Sequence, residues 1–297
     1  MNIRGSICAL LTPFAAEGPL DLPAFGRLLD QQLAGGTQAL VVAGSTGEAH
    51  LLEHDEYERL LAFAVERVAG RVPVIAGTGE AATAKTVRLT RRAAALGADA
   101  ALVVTPYYVR PTQEGLERHF QAVADEGGLP VLLYNVPGRS ACDLAIDTIA
   151  RLRMHPRIVG IKEARGDAER IGQIAELAAP DFVYLSGDDA SAAQAMLVGA
   201  RGVISVAANL VPGLFRQLCD AAVGGDRDGV QRIQQRLAPL LVALECAPNP
   251  IAVKAGLPLL ELGRATPRLP LVELAPGPAR ERLAVALAGL AAPVRAA

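Results

Sequence analysis

The stretch IVGIKEARG, residues 158–166, has the β-branched, apolar look of a buried strand, yet it carries a lysine within the run. Only Lys85, Lys162 and Lys254 occur in the chain, against 26 arginines. Arginine solvates a surface as well as lysine does, but it cannot be deprotonated in a protein, whereas a desolvated lysine can. A lysine kept inside a strand therefore asks for a chemical reason. Side chains alternate along a strand, so Ile158, Gly160 and Lys162 are expected on one face and Val159, Ile161 and Glu163 on the other. The second face suits packing against helices, which turns Lys162 toward the opposite side.

Seven other runs of the same kind accompany it: ICALLTPF (7–14), ALVVAGSTGE (39–48), VPVIAGTGE (72–80), AALVVTPYY (100–108), PVLLYNVPGR (130–139), FVYLSGDD (182–189) and GVISVAAN (202–209). Between them lie segments of helical spacing, such as HDEYERLLAFAVERVA, with Asp21 and Thr83 as start signals and Gly35-Gly36, Gly70 and Gly97 as stops. Strands that begin roughly every 28 residues, each followed by a helix, predict an α/β fold closed as a (β/α)8 TIM barrel. The GxGxxG fingerprint of a dinucleotide site is missing from the first βα turn, against a doubly wound sheet. About 90 residues follow the eighth strand. GLFRQLCDAAVGG completes the barrel, and three further helical segments, one of them IAVKAGLPLLELG, form a C-terminal helical appendage. The expected division is a barrel over 1–225 and a helical region over 226–297, with CAPNPIAVK (246–254) as a Pro-rich junction.

Composition excludes several classes. A net charge of −2, a pI near 6.1 and no basic run argue against nucleic acid. No stretch of 18 apolar, charge-free residues occurs, and the N-terminal MNIRGSICALLTPF is interrupted too early by Thr-Pro for a signal peptide. Doubly covered parallel strands account for the mean hydropathy of +0.29. Cys8, Cys142, Cys219 and Cys246 are widely spaced and lack ligand spacing, as expected of reduced thiols in a cytoplasmic protein. His50, His54, His119 and His155 offer no ligand spacing at strand ends, so no metal is expected.

In such barrels chemistry gathers at the C-terminal ends of the strands. There the sequence places Ser45-Thr46, Tyr107-Tyr108, Tyr134-Asn135, Lys162 and the loop bearing Arg139. Burial disfavours an ammonium and so exposes a neutral amine, able to form a Schiff base with a ketone. The plainer reading is a rim lysine whose head reaches solvent. GSTGE presents backbone N–H groups and hydroxyls to an anion, or simply makes a tight turn. The tyrosines pack, or relay protons; either Tyr134 or Asn135 faces inward, and parity alone does not choose. Arg139 is solvated, or clamps a carboxylate. Asp188-Asp189 reads more readily as a helix N-cap than as a metal site.

Taken together, GSTGE, TPYY, YNVPGR, GIKEA, LSGDDAS, GVISVAAN and PNPIAVK stand in the order and spacing of the family of dihydrodipicolinate synthases and N-acetylneuraminate lyases, which the chain resembles over nearly its whole length. The resemblance implies a lyase in which pyruvate forms a Schiff base with Lys162 and the enamine adds to L-aspartate 4-semialdehyde, without a cofactor. It implies a proton relay of Tyr134, Thr46 and Tyr108, the last reaching in from a neighbouring subunit of a homotetramer built as a dimer of dimers. It also implies Ser45 and Thr46 on the pyruvate carboxylate, Arg139 on the aldehyde's carboxylate, and Gly187 and Ile204 lining the site. Ser45 stands where the synthases usually have threonine and the sugar-acid lyases serine; Arg139 favours the synthases. A pyruvate-dependent aldolase acting on a sugar acid or another aldehyde is the alternative, and a non-catalytic keto-acid-binding barrel a remote one. Ala81 and Lys85 stand where inhibited synthases carry an amide and an acid, and Ala49, His50 and Tyr57 also differ, so little or no feedback inhibition by lysine is expected.

Overall fold

The computed structural model describes residues 3–16 and 18–291. Eight parallel strands close a barrel in sequence order: β1 (Gly5–Ala9), β2 (Ala39–Val42), β3 (Val74–Gly77), β4 (Ala100–Val104), β5 (Val131–Asn135), β6 (Ile158–Glu163), β7 (Val183–Ser186) and β8 (Gly202–Ser205). β1 pairs with both β2 and β8, which seals the sheet and leaves no edge. The helices α1 (Leu22–Ala34), α2 (His54–Val68), α3 (Thr83–Ala95), α4 (Gln113–Glu126), the single turn α5 (Pro137–Ser140), α6 (Ile146–Leu152), α7 (Ala168–Leu177), α8 (Ala192–Leu197) and α9 (Pro212–Val223) follow the strands around the outside. The α/β barrel read from the sequence is the fold observed. Among the described residues no helix is long and apolar enough to cross a membrane.

Two apolar layers result from the strand alternation. Ile7, Val41, Ile75, Leu102, Leu132, Leu185 and Ile204 fill the barrel, while Leu40, Val42, Leu133 and Ile161 pack against the helices. Strand β6 departs from simple alternation. Val131 pairs with Ile158, but Leu132 pairs with Gly160, so Val159 is an extra residue in β6. Such a bulge reverses the phase of the side chains. Ile158 therefore joins the outer layer and Val159 the inner one, opposite to the parity expected for these two. Gly160, Ile161, Lys162 and Glu163 lie beyond the bulge and keep the expected phase.

Helix starts follow local chemistry, with one correction. The Asp21 carboxylate accepts from the Ala24 N–H at 2.9 Å and caps α1 as expected. Thr83 does not cap α3; Ala82 holds the cap position and Thr83 is the first helical residue. Its hydroxyl lies 3.0 Å from Nδ1 of His119, a buried residue of α4 whose ring meets Phe120 edge-on at 5.1 Å. Among the described residues Nε2 of His119 has no partner, and burial pushes the imidazole down to about 4. The native protein thus keeps His119 neutral where the unfolded chain, with the usual value of about 6.5, takes up a proton. Its contribution is complete above pH 6.5 and is lost as pH falls toward 4, by about 3 kcal/mol in all at 1.36 kcal/mol per unit. Urea unfolding of His119→Gln between pH 7 and 4.5 should show a flatter acid limb than the parent; parallel curves would refute this.

After the barrel, α10 (Arg227–Leu244) packs on α9, and α12 (Pro278–Ala291) packs on α10. The segment IAVKAGLPLLELG is not the full helix its spacing suggested. It holds one turn, α11 (Ile251–Lys254), and a 3-10 turn at Pro258–Leu260, because Gly256 and Pro258 interrupt it. Asn249, Pro250, Pro270 and Leu271, from before and after these turns, line a cavity with the β2 and β5 loops at the barrel mouth. The tail of the predicted C-terminal helical region, 292–297, lies outside the described residues.

Candidate active site

The ends of β5 and β6 pair Tyr134 with Lys162 and Asn135 with Glu163. The first pair faces into the barrel and the second faces out. Register thus resolves which of Tyr134 and Asn135 turns inward. Lys162 is 4% exposed, and its Nζ lies 4.3 Å from the centroid of the Tyr134 ring. This burial removes the solvent-reaching alternative. Gly187, which follows β7, makes room for the lysine: a Cβ there would stand 3.0 Å from both Cγ and Cε of Lys162. Its N–H donates to the Glu163 carbonyl at 2.7 Å, which holds that close approach in place. Ile204 on β8 is buried in the same interior layer as Tyr134.

The outward pair is a polar clamp. Glu163 accepts from Asn135 Nδ2 at 3.0 Å, from the Arg165 N–H at 2.9 Å and from Arg170 Nε at 2.8 Å. Arg170 also donates to the Leu144 carbonyl at 2.7 Å, and the Asn135 side-chain Oδ1 accepts from the Leu144 N–H at 3.0 Å. Both Glu163 and Arg170 are buried. Burial pushes the Glu163 carboxyl up, although Arg170 and the N–H donors pull the other way. Each member of the inner pair therefore has a chain neighbour fixed on the outer face.

On the opposite wall, the Gly44–Glu48 loop leaves β2 with Ala43 and Glu48 in the left-handed region, at φ 53° and 56°. The Thr12 hydroxyl donates to the Gly47 carbonyl at 2.7 Å. Thr46 is buried, and its hydroxyl oxygen accepts from Asn249 Nδ2 at 2.9 Å. The Asn249 carbonyl in turn accepts from Arg139 Nη2 at 3.0 Å. A cavity of about 300 Å³ opens here, lined by Ser45, Tyr107, Arg139, Asn249 and Pro270 among others. It offers a half-buried hydroxyl and an exposed guanidinium to an anionic ligand.

Ser45, Thr46, Tyr134, Arg139, Lys162, Gly187 and Ile204 thus gather at or just below one barrel mouth. Tyr108 does not join them within one chain. It is 90% exposed and held at φ 71°, a backbone region that side chains other than glycine rarely adopt. Tyr107 turns inward instead: its hydroxyl donates to Glu80 at 3.1 Å and its ring lies 4.6 Å from His50. Burial, reinforced by Glu80, pushes that phenol up to about 12. The two aspartates after β7 divide. Asp188 accepts from the Ser191 N–H at 2.9 Å just before α8, but Ser191 holds the cap position, so neither aspartate is the N-cap expected. Asp189 reaches across to the loop after β8, accepting from the N–H groups of Val206 at 3.1 Å and Ala207 at 2.8 Å. Asn249 and the Glu163 clamp carry no local signal; Asn249 lies 203 residues from its threonine.

Comparison with known proteins gives a consistent result. Residues 2–288 match the dihydrodipicolinate synthetase family. The 4-hydroxy-tetrahydrodipicolinate synthase of Xanthomonas axonopodis pv. citri is 58% identical over 286 residues, which is 96% of this chain and 94% of that protein. The enzyme of the same name from Pseudomonas aeruginosa is 46% identical, covering 92% of this chain and 94% of its own. Among solved structures, the dihydrodipicolinate synthase of Acinetobacter baumannii in complex with pyruvate superposes with a TM-score of 0.95 at 41% identity, over 97% of this chain and 99% of that one.

Proposed function

The chain belongs to the dihydrodipicolinate synthetase family, and from that premise we infer that it condenses pyruvate with L-aspartate 4-semialdehyde to 4-hydroxy-tetrahydrodipicolinate. It is a lyase of the class I aldolase type. The observation that carries the chemistry is the buried amine of Lys162 beside the Tyr134 ring, at the rim of the barrel.

The amine of Lys162 adds to C2 of pyruvate, and loss of water leaves an imine. The protonated imine accepts the electron pair of a C3–H bond: the proton leaves C3, a C2=C3 double bond forms, the C2=N pair moves onto nitrogen, and the product is an enamine. Its C3 attacks the aldehyde carbon, and the new alkoxide takes a proton. The amino group of the former aldehyde then attacks C2, closes the ring and releases Lys162. The imine is the electron sink, so the steps need no organic cofactor. Tyr134 and Thr46 move the protons, joined by Tyr108 of a second copy; the exposure of Tyr108 supports that placement. Ser45 and Thr46 bind the pyruvate carboxylate, and Arg139, exposed at the cavity, receives the carboxylate of the aldehyde. Gly187 and Ile204 shape the pocket. A homotetramer, as a dimer of dimers, and a cytoplasmic location belong to the same proposal.

Turnover with pyruvate and each of aspartate semialdehyde, N-acetylmannosamine and glyceraldehyde tests the acceptor. The semialdehyde should be preferred by roughly 10-fold or more in kcat/KM, since of the three it alone presents a carboxylate to Arg139. Equal use of the sugar-derived aldehyde would overturn the assignment. The exposed Lys85 on α3 and the methyl group of Ala81 offer nothing to hold a lysine effector's ammonium. Full rate at millimolar L-lysine is therefore expected; loss of half the rate would refute it.

A further inference from the structure

Of the three lysines, Lys85 is exposed, while Lys162 and Lys254 are buried. The reaction uses Lys162 and leaves Lys254 without a task. Lys254 ends α11 and is fully buried, with its Nζ on the carboxylate of Glu48, also buried, and 4.2 Å from the centroid of the Phe14 ring. The second Glu48 oxygen accepts from the Arg268 N–H at 2.9 Å. The Arg268 guanidinium carbon also lies over Phe14, 4.3 Å from its ring centroid, and the group donates to the carbonyls of Gly18 at 2.7 Å and Leu51 at 2.9 Å. Burial lowers Lys254 to about 8, against the pull of Glu48.

Stability is a weak reason for such a pair. Taking two charges out of water costs about as much as their attraction returns, and an apolar pair of equal volume serves a fold as well or better. Placement supplies a better reason. Glu48 ends the loop that carries Thr46, and Lys254 ends the short segment that begins with Asn249. The two segments meet twice, through Glu48 and Lys254, 206 residues apart, and through Thr46 and Asn249, 203 residues apart. A single contact fixes where a loop sits, whereas two also fix how it is turned. The second contact has a direction as well. Asn249 Nδ2 occupies the acceptor side of the Thr46 oxygen, so the hydroxyl proton must point away from Asn249.

We propose that Lys254 and Asn249 are positioning residues for the reaction: Lys254 through Glu48, and Asn249 through Thr46, hold the β2 loop so that the Thr46 hydroxyl donates into the barrel mouth. Neither touches substrate in this role. The inference rests on the reading of Thr46 as part of the proton relay.

The test compares Lys254→Met, the double variant Glu48→Gln/Lys254→Met, and Asn249→Ala in the full-length enzyme. Lys254→Met strands the Glu48 charge and is expected to lower the Tm. The double variant removes both charges at similar volume and should regain most of that Tm. Its kcat should nevertheless stay down at least about tenfold, with KM for pyruvate raised less than about threefold. Asn249→Ala should lower kcat by about tenfold or more with little change in Tm. In all three, prolonged borohydride treatment with pyruvate should label Lys162 to the parental extent, because imine formation at equilibrium does not depend on the relay. Recovery of parental kcat in the double variant, or parental kcat in Asn249→Ala, would overturn the proposal by leaving the pair a purely structural role. If Lys254→Met does not fold, the other two variants decide. Failure of the parent enzyme to trap pyruvate would instead refute the Schiff-base reading beneath it.

Discussion

Replacing Lys162 with alanine will lower kcat/KM by roughly three orders of magnitude or more, because the covalent route is removed and only binding remains. Lys162→Arg will fare no better: its guanidinium stays protonated and cannot attack a ketone. The space left by Gly187 is shaped to the lysine's methylenes, and a planar guanidinium would meet the same walls. Alanine should leave the fold intact, since the side chain lies at the end of β6 and above the apolar layers. The measurement is the steady-state rate, together with the mass of the protein after borohydride reduction in the presence of pyruvate. With only three lysines, one of them exposed and one tied to Glu48, peptide mapping identifies the labelled site without ambiguity. Residual turnover within about tenfold of the parent, with pyruvate trapped on Lys85 or Lys254, would sink the assignment.

The second large effect is on stability. Glu163→Ala should cost about 3–5 kcal/mol, the usual consequence of removing one member of a buried ion pair. The intact pair is a poor guide to that figure. Burial outweighs Arg170 in its effect on the Glu163 carboxyl, so the pair as a whole contributes little. What costs is the remainder: a buried guanidinium on α7, an Asn135 amide and an Arg165 N–H that lose their shared acceptor at once. Glu163→Gln keeps one acceptor oxygen and should cost less. Urea unfolding at neutral pH, with m unchanged, measures the difference. A loss below about 1 kcal/mol for the alanine variant would show that the clamp relaxes onto water or onto Asp143, which already accepts from Asn135 Nδ2 at 2.7 Å. Activity should fall alongside stability, because Tyr134 and Lys162 are the chain neighbours of the clamped residues.

What the sequence disclosed and what it withheld divide by range. Strand runs, helix spacing and glycine stops are local signals, and the eight-unit barrel followed from them. Lys162 stood out because a charged residue in an apolar run violates a local rule, and functional sites are where such violations concentrate. Parity along β6 held from Gly160 onward and failed at Ile158 and Val159. A bulge depends on how β5 pairs with β6, and no single strand reports its partner's register. Thr83 looked like a cap, yet it is inside α3 because its hydroxyl serves His119 on the next helix. IAVKAGLPLLELG had helical spacing, but its Gly256 and Pro258 broke it into turns. Asn249, Glu48 and Lys254 meet only after more than two hundred residues of chain have closed the barrel. Their types and spacing carried a family likeness, while their contacts required the fold.

The extra residue in β6 has an effect on how freely the strand can change over time. Its lower end, at Ile158 and Val159, and its upper end, at Lys162 and Glu163, run in opposite phase. Substitutions that swap large and small residues at the floor of the barrel are answered locally at the bulge, without turning the amine. The direction of the amine is therefore set by the pairing with β5 above the bulge, not by the phase of the first two residues of this six-residue strand.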